Sequence, residues 1–150
     1  QSVFDRGNYD PTNEPNIAYP YLFSRFKGEE WRTQKLIKEL LAKHFTNQPA
    51  GIPGNDDTGT MSTWAIFSMM GLYPDCPGVP EYTLTTPTFD EIVVKLDPKY
   101  WGKDKLVIKK EGKGDYIKEI KLDGKKYGKY LITHEDLINA GEITFVTMDR

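Results

Sequence analysis

Two carboxylates side by side in a glycine- and proline-rich turn are the first candidates for chemistry in this chain. In Gly51-Ile52-Pro53-Gly54-Asn55-Asp56-Asp57-Thr58-Gly59, Asp56 and Asp57 repel one another, so folding must supply a reason to hold them together. Three reasons are available. The free N–H groups and positive dipole end of a following helix attract anions. A hard divalent cation bridges carboxylate oxygens. A carboxylate aimed at water serves as a general base. The plainer alternative is an aspartate that caps the helix beside a solvated neighbour. Spacing alone leaves all four open.

A second oxygen-rich turn precedes it. Asn8-Tyr9-Asp10-Pro11-Thr12-Asn13-Glu14-Pro15-Asn16 crowds amide and carboxylate oxygens between prolines. Calcium takes 6–8 such oxygens, and an ordinary Asx-rich turn has the same composition. Transition metals fit less well, because His44 and His134 are the only histidines and form no ligand pair. His44, on a lysine-flanked helix, reads as a surface residue, and His134 as a residue orienting a turn. Cys76, the single cysteine, lies in a proline-rich stretch with no base nearby and reads as structural. Trp31 and Trp64 can stack on a sugar or line a core, and their positions favour the core. No phosphate-binding glycine loop and no nucleophile elbow are present.

These turns must be held by the elements around them. Residues 29–45 read as an amphipathic helix, with Ile37, Leu40, Leu41 and Phe45 at helical spacing. Glu29 and Glu30 open it, where the dipole favours anions. A short aromatic helix is expected from about Pro20 to Phe26, since proline suits a first turn. A third helix, residues 60–70, is apolar on nearly every side and reads as buried, with Gly71 placed to end it. Beyond it, residues 81–86, 91–96, 106–110, 116–122, 130–133 and 143–148 read as strands, and Asp123-Gly124 is a strong hairpin signal. Lysines along such strands read as a solvated face. The expectation is a small antiparallel sheet packed on the helical part.

Composition bounds the function. The chain has 150 residues, room for one domain or two small ones, with a formal net charge of −2. That balance argues against a nucleic-acid grip. No run of 18 apolar residues exists, so no membrane span is expected. The first ten residues are polar and start with Gln1 in place of methionine, so the chain is expected to be a processed product or a piece of a longer one. Residues 1–75 hold 11 of the 19 aromatic residues, and residues 76–150 hold 12 of the lysines. The segment Tyr73-Pro74-Asp75-Cys76-Pro77-Gly78-Val79-Pro80 reads as a rigid join between the two.

Taken together, the segments resemble a known family. Asn13-Glu14-Pro15, Pro20-Tyr21-Leu22-Phe23 and Trp31-Arg32-Thr33-Gln34-Lys35 resemble the family 92 glycoside hydrolases, calcium-dependent exo-α-mannosidases. So does Gly51-Ile52-Pro53-Gly54-Asn55-Asp56-Asp57 with Gly59, Met61-Ser62 and Trp64, followed by Phe67-Ser68 and Gly71-Leu72-Tyr73-Pro74. Glu81-Tyr82, Pro87, Phe89 and Ile132-Thr133-His134-Glu135-Asp136-Leu137 continue the match in order to near the end of the chain.

The resemblance implies an α+β fold: helical hairpins from the end of an (α/α)6 barrel, residues 1–75, followed by a small antiparallel β-sheet region, residues 76–150. It implies inverting hydrolysis of non-reducing-end α-mannosides, such as α-1,2-mannosides, with calcium helping to distort the sugar ring. Asn13 and Glu14 match the loop that supplies calcium ligands. Asp56 and Asp57 match the paired aspartates of the base and calcium region, with Asp57 also counted among the metal ligands. Asn55 and Trp64 are the expected substrate contacts. Partners would be a mannose-containing glycan and the remaining N-terminal portion of the same enzyme. The location implied is secreted, periplasmic or cell-surface, in bacteria.

Two departures matter. Histidines that many members carry after Asn-Glu-Pro are replaced here by Asn16, Ile17 and Ala18, which bears on linkage specificity. No segment matches the family's general-acid glutamate, so this chain is expected to carry half of the catalytic apparatus and to be inactive alone. The competing readings are a non-catalytic calcium-dependent carbohydrate-binding module and a structural module in which the aspartates cap a helix.

Overall fold

A computed structural model of the chain describes residues 2–12 and 14–150. A short helix α1 (Ser2–Asp5) opens it, followed by single-turn 3-10 structure at Glu14–Asn16 and a longer 3-10 helix at Tyr19–Arg25. The expected aromatic helix is therefore present in the tighter form. Tyr21 and Ser24, three residues apart, are both buried, and the 3-10 repeat stacks such a pair on one face. Helix α2 (Glu30–His44) buries Thr33, Gln34, Ile37 and Leu40, with Glu30 in its first turn and Lys43 and His44 in its last.

Helix α3 (Thr60–Met70) lies between two left-handed glycines, Gly59 at φ 95° and Gly71 at φ 78°. Gly71 allows no side chain, since a methyl there would stand 2.7 Å from the Thr85 carbonyl oxygen. The all-round apolar character of α3 predicts full burial. Instead one face is enclosed, by Met61, Trp64, Ala65 and Ser68, while Ile66 on the other is 57% exposed. No described residue covers that side.

The strands β1 (Leu72–Tyr73), β2 (Glu81–Leu84) and β3 (Glu91–Lys95) come next, then a single helical turn α4 (Pro98–Trp101) capped by the Asp97 carboxylate. They are followed by β4 (Lys105–Glu111), β5 (Tyr116–Leu122), β6 (Lys125–Tyr127), β7 (Leu131–Thr133), helix α5 (His134–Asn139) and β8 (Glu142–Met148). Asp123 at φ 47° and Gly124 at φ 76° form the β5–β6 hairpin turn that the sequence signals. The strands make two sheets rather than one. Three strands run in the order β1-β2-β7 and five in the order β3-β4-β8-β5-β6. All pairings are antiparallel except β4 with β8, which is parallel.

Two cores result. Tyr21, Ile37, Leu40, Trp64, Ala65 and Tyr73 form one among the helices. Leu84, Ile108, Ile132, Ile143 and Phe145 centre the other in the sheets, and Phe67 packs on both. Polar contacts also cross between them. The buried Gln34 of α2 accepts the Ile117 N–H of β5 through Oε1 at 2.7 Å, next to the register shift between Ile117 and Glu119. Arg25 grips Asp75 through Nη2 at 3.0 Å, and Thr83 Oγ1 donates to the same carboxylate at 2.9 Å. With its side chain 1% exposed, Asp75 makes the proline-rich join a buried, ion-paired segment.

Candidate functional site

The 51–59 turn is built on unusual backbone. Asp57, Thr58 and Gly59 have φ values of 49°, 61° and 95°, three left-handed residues in succession. For non-glycine residues such conformations cost about 1–3 kcal/mol each and persist only where the surroundings enforce them. The enforcement is visible. The Asp57 carbonyl accepts both the Thr60 N–H at 3.2 Å and the Thr60 hydroxyl at 2.8 Å. The Asp56 carbonyl accepts the Met61 N–H at 3.1 Å, and its carboxylate Oδ1 accepts the Ser62 N–H at 2.8 Å.

Asp56 thus satisfies two of the free donors at the start of α3, so the capping alternative holds for this residue. Its Oδ2 takes no hydrogen bond from the described residues. Capping does not account for Asp57, whose carboxylate takes no hydrogen bond or ion pair from the described residues. Asn55, next to the pair, is exposed.

In the 8–16 turn, Asp10 Oδ1 accepts the Thr12 N–H at 2.9 Å and the Thr12 hydroxyl at 2.7 Å. The hydroxyl bond first, then the backbone bond, holds the Asp10 carboxyl below its ordinary range. Asn16 Nδ2 reaches the Asp10 carbonyl at 3.3 Å. Glu14 is exposed, and its carbonyl accepts the Ile17 N–H at 3.2 Å. Asn13 lies outside the described residues. Tyr73, in the core beneath, is pushed up to about 12 by burial, then by the charges of Asp75 and Glu14.

The two turns abut. A methyl on Gly54, itself at φ 69°, would stand 2.8 Å from Thr12 Cβ, so Gly54 lets the 51–59 backbone close onto the earlier turn. Trp64 Nε1 donates to the Ile17 carbonyl at 3.0 Å, tying α3 to the segment just past Glu14. Trp64 is 2% exposed, stacked on Phe45 and edge-on to Tyr21 and Tyr73, so it presents no free face to a sugar. The structure places Trp64, the expected substrate contact, in the helical core. Sequence reading missed Thr12 as the surface on which the aspartate turn rests. The only signal was the glycine at 54, which marks a close approach without saying to what.

Among the described residues no three histidine, cysteine or acidic side chains converge as a ready-made metal cage. The donor chemistry nonetheless fits one class of ion. Asp56, Asp57 and Glu14 offer only hard carboxylate oxygens, which suit calcium and not a soft-ligand transition metal. Carbonyl, amide, water and sugar oxygens would have to complete the shell. A cleft of about 450 Å3 lined by Ile37, Leu41, Phe45, Met69, Pro87 and Lys110 includes none of these carboxylates.

The two oxygen-rich turns thus lie side by side on the helical part, and comparison supplies the family. The model of the glycosyl hydrolase family 92 catalytic domain matches residues 1–149, and the chain belongs to that family. An uncharacterized secreted glycosidase of Arthroderma benhamiae is 31% identical over 135 residues, 87% of this chain and 17% of its own length. A family GH92 alpha-mannosidase of Bacteroides thetaiotaomicron, solved with mannoimidazole, superposes with a TM-score of 0.85 at 30% identity over 95% of this chain and 18% of its own. A family GH92 inverting mannosidase from the same organism superposes with a TM-score of 0.81 at 30% identity, over 99% of this chain and 20% of its own. The chain therefore spans a fifth or less of the length of these relatives.

Proposed function

We propose that this chain is the C-terminal part of the catalytic region of a calcium-dependent, inverting exo-α-mannosidase acting on non-reducing-end α-mannosides, and that the division into residues 1–75 and 76–150 separates the barrel helices from the β region. The observation that carries the reading is the abutment of the two carboxylate-bearing turns at Thr12 and Gly54, within a chain of family 92.

The roles follow from which oxygens are committed. Asp57, whose carboxylate has no partner among the described residues, joins Asn13 and Glu14 as a calcium ligand. Bound there, the cation would hold sugar hydroxyls and keep neighbouring carboxylates ionised. Asp56 is oriented by the Ser62 N–H through Oδ1 and presents Oδ2 as the base that takes the proton of the attacking water. Inversion needs that water between base and acid, which sit about 6.5–9.5 Å apart. Asn55 contacts the substrate beside the pair. The general acid comes from the rest of the enzyme, so the isolated chain does not turn over mannosides. A secreted, periplasmic or cell-surface location belongs to this reading, and the Arthroderma benhamiae relative is described as a secreted glycosidase.

Calcium titration by calorimetry tests the reading on the whole enzyme that carries this chain. Saturable binding, lost in both Asp57→Asn and Glu14→Ala, is the expected result. Binding that survives both substitutions, or hydrolysis of α-mannosides undiminished by a calcium chelator, would overturn it.

A further inference from the structure

We infer that Trp64 is a positioning residue for the calcium site: a buried strut that sets the distance between the Glu14 turn and the Asp56-Asp57 turn. This rests on the mannosidase reading above and adds to it a residue that touches neither metal nor sugar.

The connection runs through two hydrogen bonds in series. Trp64 Nε1 donates to the Ile17 carbonyl at 3.0 Å, and the Ile17 N–H donates to the Glu14 carbonyl at 3.2 Å. At the other end, Trp64 lies two residues beyond Ser62, whose N–H holds Asp56. A second stitch lies one turn along. The Ser68 hydroxyl donates to the Trp64 carbonyl at 2.6 Å and is itself 2.6 Å from the Tyr21 hydroxyl. Residues 17 and 21 are four apart, as are 64 and 68, so the same two segments are joined twice, one helical turn apart. Two joins fix an orientation where one would leave a pivot. Tyr21 and Ser68 are 0% exposed, so the second stitch is shielded from water, while the Trp64–Ile17 bond is part-buried.

The indole also could not be replaced by another large apolar ring without consequence. Phenylalanine at 64 would retain a ring against Phe45 but would leave the Ile17 carbonyl without its donor, and the Glu14 turn without its tie. Partners outside the ligand shell that orient a metal site cost about 10–100-fold in metal affinity when removed.

The test compares Trp64→Phe, Tyr21→Phe and Ile37→Val in the whole enzyme, by calcium calorimetry, thermal melting and activity over a calcium series. Trp64→Phe is expected to weaken calcium binding about 10-fold, with activity recovered by excess calcium, and Tyr21→Phe to weaken it less. Ile37→Val trims the same core without touching a stitch, and is expected to lower the melting temperature with calcium affinity unchanged. Equal calcium affinity in Trp64→Phe and wild type overturns the strut, as does an equal loss in Ile37→Val. A wild-type enzyme that binds no calcium overturns the mannosidase reading instead, before any variant is made.

Discussion

At the scale of single residues, the proposed function gives Asp56 a second duty beside its hydrogen bond to Ser62, and substitution can separate the two. Its Oδ1 accepts the Ser62 N–H, a role that an asparagine oxygen fills equally well. Its proton-accepting role has no amide substitute. Asp56→Asn in the whole enzyme should therefore melt where wild type does while losing turnover by about 10²–10⁴-fold. Asp56→Ala should lose turnover and also about 1 kcal/mol of stability, read by chemical denaturation, because the cap goes too. The cap itself was legible in the sequence, since an aspartate before an apolar helix is a local pattern. Trp64 was legible as a core residue by its position. Its hydrogen bond to Ile17 was not, because 47 residues separate the partners and no local pattern records such a pairing.

At the scale of elements, helix α3 shows how far local signals reach. Its ends at Thr60 and Met70 could be read directly, because glycines bracket it and both adopt left-handed backbone. The β5–β6 hairpin followed from Asp123-Gly124 in the same way. Strand order did not: the parallel pairing of β4 with β8 joins Val107 to Glu142, and register at that separation depends on the packed whole. The contact of α2 with β5 is similarly non-local. Gln34→Leu keeps a side chain large enough to fill the place but removes the acceptor and leaves the buried Ile117 N–H unpaired. A loss of about 1–3 kcal/mol is expected in denaturant unfolding, with the helical content by circular dichroism retained.

At the scale of the whole molecule, apolar side chains are exposed on both halves, Tyr100 and Phe89 on the sheet half among them. On the helical half Leu22 and Phe26, 46% and 62% exposed, line one shallow surface with Val3, Phe4, Tyr19 and Phe23. Exposed clusters of this kind mark contact faces. Light scattering on this chain alone should show association that rises with concentration, and a steady monomer at high concentration would count against such a face. The sheet half has a different peculiarity. Its five-stranded sheet is ordered β3-β4-β8-β5-β6, so the last strand in sequence is the middle strand in space. During synthesis β3 with β4, and β5 with β6, can pair as they emerge, but the two ribbons have no shared neighbour until β8 leaves the ribosome. The residues of β8 act as a keystone. Until they arrive, Ile108 and Ile120 face water on separate hairpins, and once they arrive both sides of the arch close in a single event.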